Sequence, residues 1–160
     1  MRKFAYFSLV LLISITMFGC ANKEKKTETL MKRSEFGHLP NRVKTKAATF
    51  EIKMEKASYP SSVKEIAVMI KNYGPDIVFG TSYQVEKYIN GSWYAIPFKK
   101  DVGFTEIAII LKTNDTYRQK VGADLLDYRL TEGKYRIVKE FSVGNNEKLN
   151  LAAEFKISKN

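Results

Sequence analysis

Residues 83–97, YQVEKYINGSWYAIP, carry the pattern that decides the fold. Tyr83, Val85, Lys87 and Ile89 alternate with Gln84, Glu86 and Tyr88, so an extended segment here has two different faces. Asn90-Gly91 follows, the dipeptide favoured in a two-residue type I′ turn because both positions need a positive φ. Trp93 to Pro97 runs back from the turn and ends at a proline, which lacks a ladder donor and belongs at a strand end or a sheet edge. The stretch predicts a β-hairpin, and with it an antiparallel sheet.

The same texture extends in both directions. Upstream, Phe50, Ile52 and Met54 alternate with Glu51, Lys53 and Glu55; Ile66, Val68 and Ile70 repeat the pattern until Asn72-Tyr73-Gly74-Pro75-Asp76 stops it. Downstream, a strand over residues 104–111 places Ile107, Ile109 and Leu111 on one face, Thr113-Asn114-Asp115 ends it, and Tyr117 to Val121 follows. Residues 124–130 have room for at most one helical turn. In residues 134–143, Tyr135, Ile137, Lys139 and Phe141 share one face, and Arg136, Val138 and Glu140 the other. Asn145-Asn146 turns the chain into a last strand with Leu149, Leu151, Ala153, Phe155 and Ile157 aligned. About seven to eight antiparallel strands without a long amphipathic helix predict an all-β, immunoglobulin-like β-sandwich.

The first 20 residues read differently. Arg2 and Lys3 precede an apolar run from Phe4 to Phe18, roughly 15 residues and shorter than the ~20 a spanning helix needs. Gly19 and Cys20 close it, and Cys20 is the only cysteine in the chain. Met17, Phe18, Gly19 and Cys20 resemble the lipobox of bacterial lipoprotein signals, with Phe18 bulkier than is usual there. The expectation is a signal peptide over 1–19, cleavage before Cys20, and lipidation of its sulfur. Residues 20–46 are rich in Lys, Glu, Thr and Asn and keep no period, which predicts a disordered, basic tether; Leu30, Met31 and Phe36 are its candidates for a helical turn or for docking on the domain. The folded domain is expected over 47–160.

The hairpin and its surroundings resemble a known family. The segment from Lys87 to Lys112 with its WYAIPF core at residues 93–98, the Gly133, Tyr135, Arg136 and Ile137 motif, and Ala152-Ala153-Glu154-Phe155 are similar to the bacterial immunoglobulin-like domain of secreted proteins and lipoproteins of Bacillus-type (Firmicute) bacteria. The likeness runs from Phe50 to Ile157. It implies the sandwich fold and an extracytoplasmic location, and it brings no catalytic residue set.

Composition limits the chemistry. Removing residues 1–19 takes away two of the 27 basic side chains and none of the 17 acidic ones, so the remainder carries a formal +8. Such a basic chain beside a lipid anchor favours anionic headgroups and wall polymers; for an exported protein, nucleic acid is not an expected partner. One cysteine allows no internal disulfide, so the fold must rest on its apolar core. His38, the only histidine, lies in the expected tether, away from any nucleophile. A zinc site lacks the three or four ligands it needs, and no phosphate-binding glycine motif occurs. Asp124 with Asp127, or Asp101 with Glu106, would be the carboxylate pairs for glycoside hydrolysis, and each sits where a solvated carboxylate is the ordinary state. Neither catalysis nor a cofactor or metal is expected.

Structural roles are expected for Trp93, as a partly buried core anchor, and for Tyr135, as a tyrosine corner behind Gly133. Tyr94, Phe98 and Phe104 are the aromatic residues proposed for an interaction surface, provided they form an exposed patch. The reading is a non-catalytic, membrane-anchored binding module on the extracytoplasmic face, with an envelope protein or an anionic wall polymer as partner. The alternative is an inhibitor or regulator of an extracellular enzyme such as a protease, acting through the loop from Phe98 to Phe104.

Overall fold

The structure, a computed structural model, describes residues 32–159; the expected signal peptide, Cys20 and residues 21–31 lie outside the described residues. In chain order the strands are β1 (Lys32–Arg33), β2 (Arg42–Lys44), β3 (Thr49–Met54), β4 (Ser58–Pro60), β5 (Glu65–Asn72) and β6 (Ile77–Phe79). They continue with β7 (Gln84–Ile89), β8 (Ser92–Ala95), β9 (Ile109–Leu111), β10 (Thr116–Gly122), β11 (Gly133–Val143) and β12 (Glu147–Ser158). Among the described residues, one 3-10 turn, Ala123–Leu125, interrupts them.

Two sheets result. The larger has the order β1-β8-β7-β11-β12-β4, with β6 pairing β11 and β9; the smaller has the order β10-β5-β3-β2. The expected all-β sandwich is therefore observed, divided more finely than its sequence suggests because several strands are only two or three residues long. One pairing departs from the antiparallel expectation: β4 runs parallel to β12, with Tyr59 opposite Ile157. The strand expected over 104–111 pairs only from Ile109 to Leu111. The hairpin forms as read, with Tyr88 opposite Trp93 and Asn90 and Gly91 at φ 47° and 85°.

The core fills the space between the sheets. Phe50, Ile52, Ile66, Val68 and Ile70 of the smaller sheet meet Ile77, Phe79, Val85, Ile137, Phe141, Leu151 and Phe155 of the larger. The Phe141 ring lies 4.7 Å from Phe50 and 5.3 Å from Phe79, joining the two layers. Each fully buried side chain of this size contributes about 1.5–3 kcal/mol, so a core of this kind holds without a covalent staple. Tyr135 is fully buried; its hydroxyl donates to the Thr131 carbonyl at 2.6 Å and accepts from the Thr131 N–H at 3.1 Å, which is tyrosine-corner geometry. Burial pushes its phenol well above the ordinary range.

Residues 32–44, expected as part of a disordered tether, are instead a belt on the domain. Lys32 and Arg33 pair with Ala95 and Tyr94, and the Ser34 N–H donates to the Trp93 carbonyl. The chain then crosses the outer face of the larger sheet, meeting Glu86 of β7 through Ser34, Arg136 of β11 through Phe36 and Gly37, and Ala152 of β12 through Pro40. Past the edge of that sheet, the Asn41 carbonyl accepts from Ile52, and β2 joins β3 of the smaller sheet. The tether reading missed this because the belt is held by polar groups and backbone, which leave no apolar period in the sequence.

Candidate functional site

The outer face of the larger sheet carries the least ordinary chemistry of the molecule. Strand alternation puts Glu86, Tyr88, Trp93, Lys134, Arg136 and Glu154 there, while Val85, Tyr135 and Ile137 face the core. Glu86 and Arg136 form an ion pair with Nε to Oε2 at 2.5 Å, and both residues are essentially inaccessible, at 0% and 1% exposure. The second carboxylate oxygen accepts from Ser34 Oγ and Gln84 Nε2, each at 2.5 Å. Arg136 donates its remaining bonds to the carbonyls of Gly37 at 2.8 Å and Phe36 at 3.1 Å. A charge pair on a sheet face would ordinarily be wet; the belt covers this one and satisfies it.

The same guanidinium supports the aromatic side chains beside it. Its carbon lies 4.3 Å from the centre of the Trp93 ring, and Trp93 lies 5.0 Å from Tyr88. Lys134 Nζ sits 5.5 Å from the Tyr88 ring centre and 5.4 Å from that of Trp93, and pairs with Glu154 at 2.8 Å. Between these side chains and the belt runs an open groove of about 560 Å³, lined among others by Arg33, Glu35, His38, Tyr88, Trp93 and Lys134. Arg33 donates to Ser92 Oγ of the neighbouring strand at 3.3 Å.

The residues singled out from the sequence fall in three places. Trp93 lies on the outer face, half-buried and apart from the core cluster, with Arg136 as its packing partner; the inward positions of its strand and continuation belong to Tyr94 and Ile96. Tyr94, Phe98 and Phe104 are half-buried and packed on the core, so they form no exposed patch. Phe98 and Phe104 make edge-on contacts with Tyr83 at 5.5 and 4.9 Å and with each other at 5.2 Å. The aromatic side chains of the 98–104 loop thus pack on the domain, and Phe104 also lines an open groove beside Gly80, Thr81 and Ser82. Cys20 lies outside the described residues.

His38 lies on the belt at the groove rim. Asp101, Glu106, Asp124 and Asp127 are all exposed. Among the described residues, no group of three His, Cys, Asp or Glu side chains is placed to hold a metal ion. The exposed aromatic of the groove, Tyr88, was legible in principle: it flanks the type I′ turn on the face opposite Val85, the parity that sets Trp93 outward as well.

A second polar feature lies inside the sandwich. The strand running from β6 into β7 breaks at Gly80 to Ser82, and Lys139, on the inward face of β11, closes the gap. Its ammonium donates to the carbonyls of Gly80 at 2.6 Å and Ser82 at 2.9 Å, while Gln119 Nε2 donates to that of Thr81 at 2.6 Å. Burial brings the Lys139 ammonium down to about 8. The side chain replaces ladder bonds lost at the break, a structural role.

Among curated proteins, none matches the chain. Five chains of solved structure match. One, the X-ray structure of Northeast Structural Genomics Consortium target SoR45, is 17% identical with a TM-score of 0.44, over 73% of this chain and 90% of that one. Another, the ASH / PapD-like domain of human CEP192 (PapD-like domain 7), is 13% identical with a TM-score of 0.37, over 81% of this chain and 99% of that one. The family described as a bacterial Ig-like domain matches residues 46–156, so the belt up to Lys44 precedes the matched region. That match takes in both sheets of the sandwich apart from β1, β2 and the last two residues of β12, and the chain belongs to the bacterial Ig-like domain family.

Proposed function

We propose that this protein is a lipid-anchored component of a bacterial cell envelope, fixed through Cys20 to the extracytoplasmic face of the membrane, and that its Ig-like domain is a non-catalytic binding module. The observation that carries the binding role is the groove beside Trp93. It is open, it combines aromatic and charged side chains, and its wall is held by a buried ion pair and a crossing belt, so its shape is set before any ligand arrives. The lipobox-like ending of the first 20 residues supports the anchor.

The belt alters what the tether can do. Only residues 21–31, eleven in all, separate Cys20 from β1. At full extension that stretch spans about 40 Å, so the domain works close to the membrane and does not sweep the wall on a long leash.

Detergent phase partition tests the anchor. The wild-type protein collects in the detergent phase, and Cys20→Ala shifts it to the aqueous phase or leaves it as unprocessed precursor; unchanged partition contradicts the anchoring. Co-sedimentation of the unlipidated chain, residues 21–160, with isolated cell envelopes tests the groove, since the lipid anchor would otherwise hold the protein there by itself. Tyr88→Ala, at a side chain that is 40% exposed and outside the core, is expected to abolish retention without changing the fold; full retention removes the groove from the account.

A further inference from the structure

The proposed binding role leaves the ligand open, and the lining of the groove narrows its chemistry. Four charged side chains face the groove around Tyr88 and Trp93: Arg33, Lys134, Glu35 and Glu154. Their formal charges cancel, even though the chain as a whole is strongly basic. A polyanion brought to this face meets two carboxylates as well as two cations, and Lys134 is already engaged with Glu154 at 2.8 Å. Charge complementarity therefore points away from a wall polyphosphate at this site.

Three further features select among uncharged ligands. Tyr88, exposed and tilted 59° to the half-buried Trp93, presents an aromatic face with a polar tip in a largely polar groove, suited to a ligand that has both an apolar face and a hydroxylated rim. Arg33 and the two carboxylates supply planar donors and acceptors around that surface, the geometry for paired bonds to neighbouring hydroxyls. The volume of about 560 Å³ lies within the range of small-molecule sites, and the groove is open, so that a linear chain need not end inside it.

We infer that the groove between the belt and the β7–β8 hairpin is a saccharide site, which takes a short stretch of uncharged glycan chain. One sugar ring lies against the exposed Tyr88, beside Trp93, and its hydroxyls bond Arg33, Glu35 and Glu154. Lys134 holds the two aromatic rings in place from beside Glu154. This rests on the binding-module reading and adds the class of ligand to it.

Trp93 is the only tryptophan of the chain, so intrinsic tryptophan emission reports the groove alone. The experiment titrates the detergent-solubilised full chain with β-1,4-linked N-acetylglucosamine oligomers, and in parallel with inorganic polyphosphate. The expected result is a saturable change in emission with the oligosaccharide that persists at high salt, weakened about two- to tenfold by Tyr88→Ala, the loss of one aromatic contact. Glu154→Gln, with an unchanged melting temperature, is expected to weaken the response as well and serves if Tyr88→Ala fails to fold. No emission change with the oligosaccharide overturns the saccharide assignment, as does a response confined to polyphosphate at low salt. A protein adduct from a photoreactive residue at position 88 without any oligosaccharide response overturns the assignment and leaves the binding module standing. Absence of both overturns the two together.

Discussion

Replacing Glu86 with leucine removes the carboxylate on which Arg136 and the belt both depend. In the wild type Glu86 accepts from Arg136, Ser34 and Gln84, and neither member of the pair is more than 1% exposed. Glu86→Leu leaves the guanidinium buried with only the Phe36 and Gly37 carbonyls as hydrogen-bond partners. Breaking a buried pair from one side costs about 3–5 kcal/mol, because the remaining charge is uncompensated. At about 4 °C per kcal/mol for a domain of this size, the melting temperature falls by about 12–20 °C. Glu86→Leu with Arg136→Met removes both charges, and similarly sized apolar side chains return most of the loss. The double variant is therefore expected to be at least ~2 kcal/mol more stable than Glu86→Leu alone, a coupling measured by urea denaturation in a double-mutant cycle. Its belt, however, has lost both side chains that hold it. Hydrogen exchange at the Ser34 amide, bonded to the Trp93 carbonyl, should quicken in the double variant while the amides of the β11–β12 pair stay protected. A single variant within about 1 kcal/mol of wild type, or a double variant no better than the single, refutes the claim that this pair is dry and belt-covered.

Three other outcomes follow from the geometry. Lys139 has an ammonium brought down to about 8 in the folded state from 10.5, so between those values the unfolded chain binds a proton that the folded chain does not, and stability rises with pH. The full span is worth about 3 kcal/mol; urea denaturation from pH 8 to 10 shows a positive slope that Lys139→Met lacks, and equal slopes contradict the burial. Comparison with Lys139→Met cancels the contribution of Tyr73, Tyr83 and Tyr135, whose raised phenols act in the opposite sense as the pH nears and passes their ordinary value of 10.0. Tyr135→Phe loses both hydroxyl bonds to Thr131 and is expected to cost about 1–2 kcal/mol; a neutral change would remove the tyrosine corner from the account of stability. Gly91→Ala forces a side chain to φ 85° in open space and should cost about 1 kcal/mol by strain alone, with no change expected in the unfolding slope.

The fold was legible wherever one face of a strand is apolar. The Phe50, Ile66 and Leu151 strands each place an apolar residue at every second position toward the core, with Ala67 and Ala152 buried on the other faces, and Asn90-Gly91 announces its turn through its own backbone preference. Legibility failed where polar groups carry the packing. The belt from Lys32 to Lys44 is held by carbonyls, one hydroxyl and an arginine about a hundred residues away, and none of these leaves a period. On β11, Arg136 reads as an ordinary exposed position until Glu86 and the belt are seen to enclose it. Lys139 and Lys87 read as interruptions of an apolar face, yet Lys139 binds the carbonyls at a strand break and Lys87 donates to Tyr128 and Thr131. The site was misplaced for a related reason. Aromatic residues in a loop suggested exposure, but Phe98 and Phe104 pack on Tyr83, whereas the hairpin pair Tyr88 and Trp93 faces outward because of its parity with the core-facing residues.

The most direct test of the central claim is photocrosslinking in living cells from two positions of the lipid-anchored protein, Tyr88 in the groove and Phe98 in the inward-turned loop, followed by mass spectrometry of the adducts. The account predicts one dominant class of adduct from position 88 and only intramolecular products from position 98. Adducts that gather at position 98, or none from position 88 while the protein is folded and anchored, would contradict it.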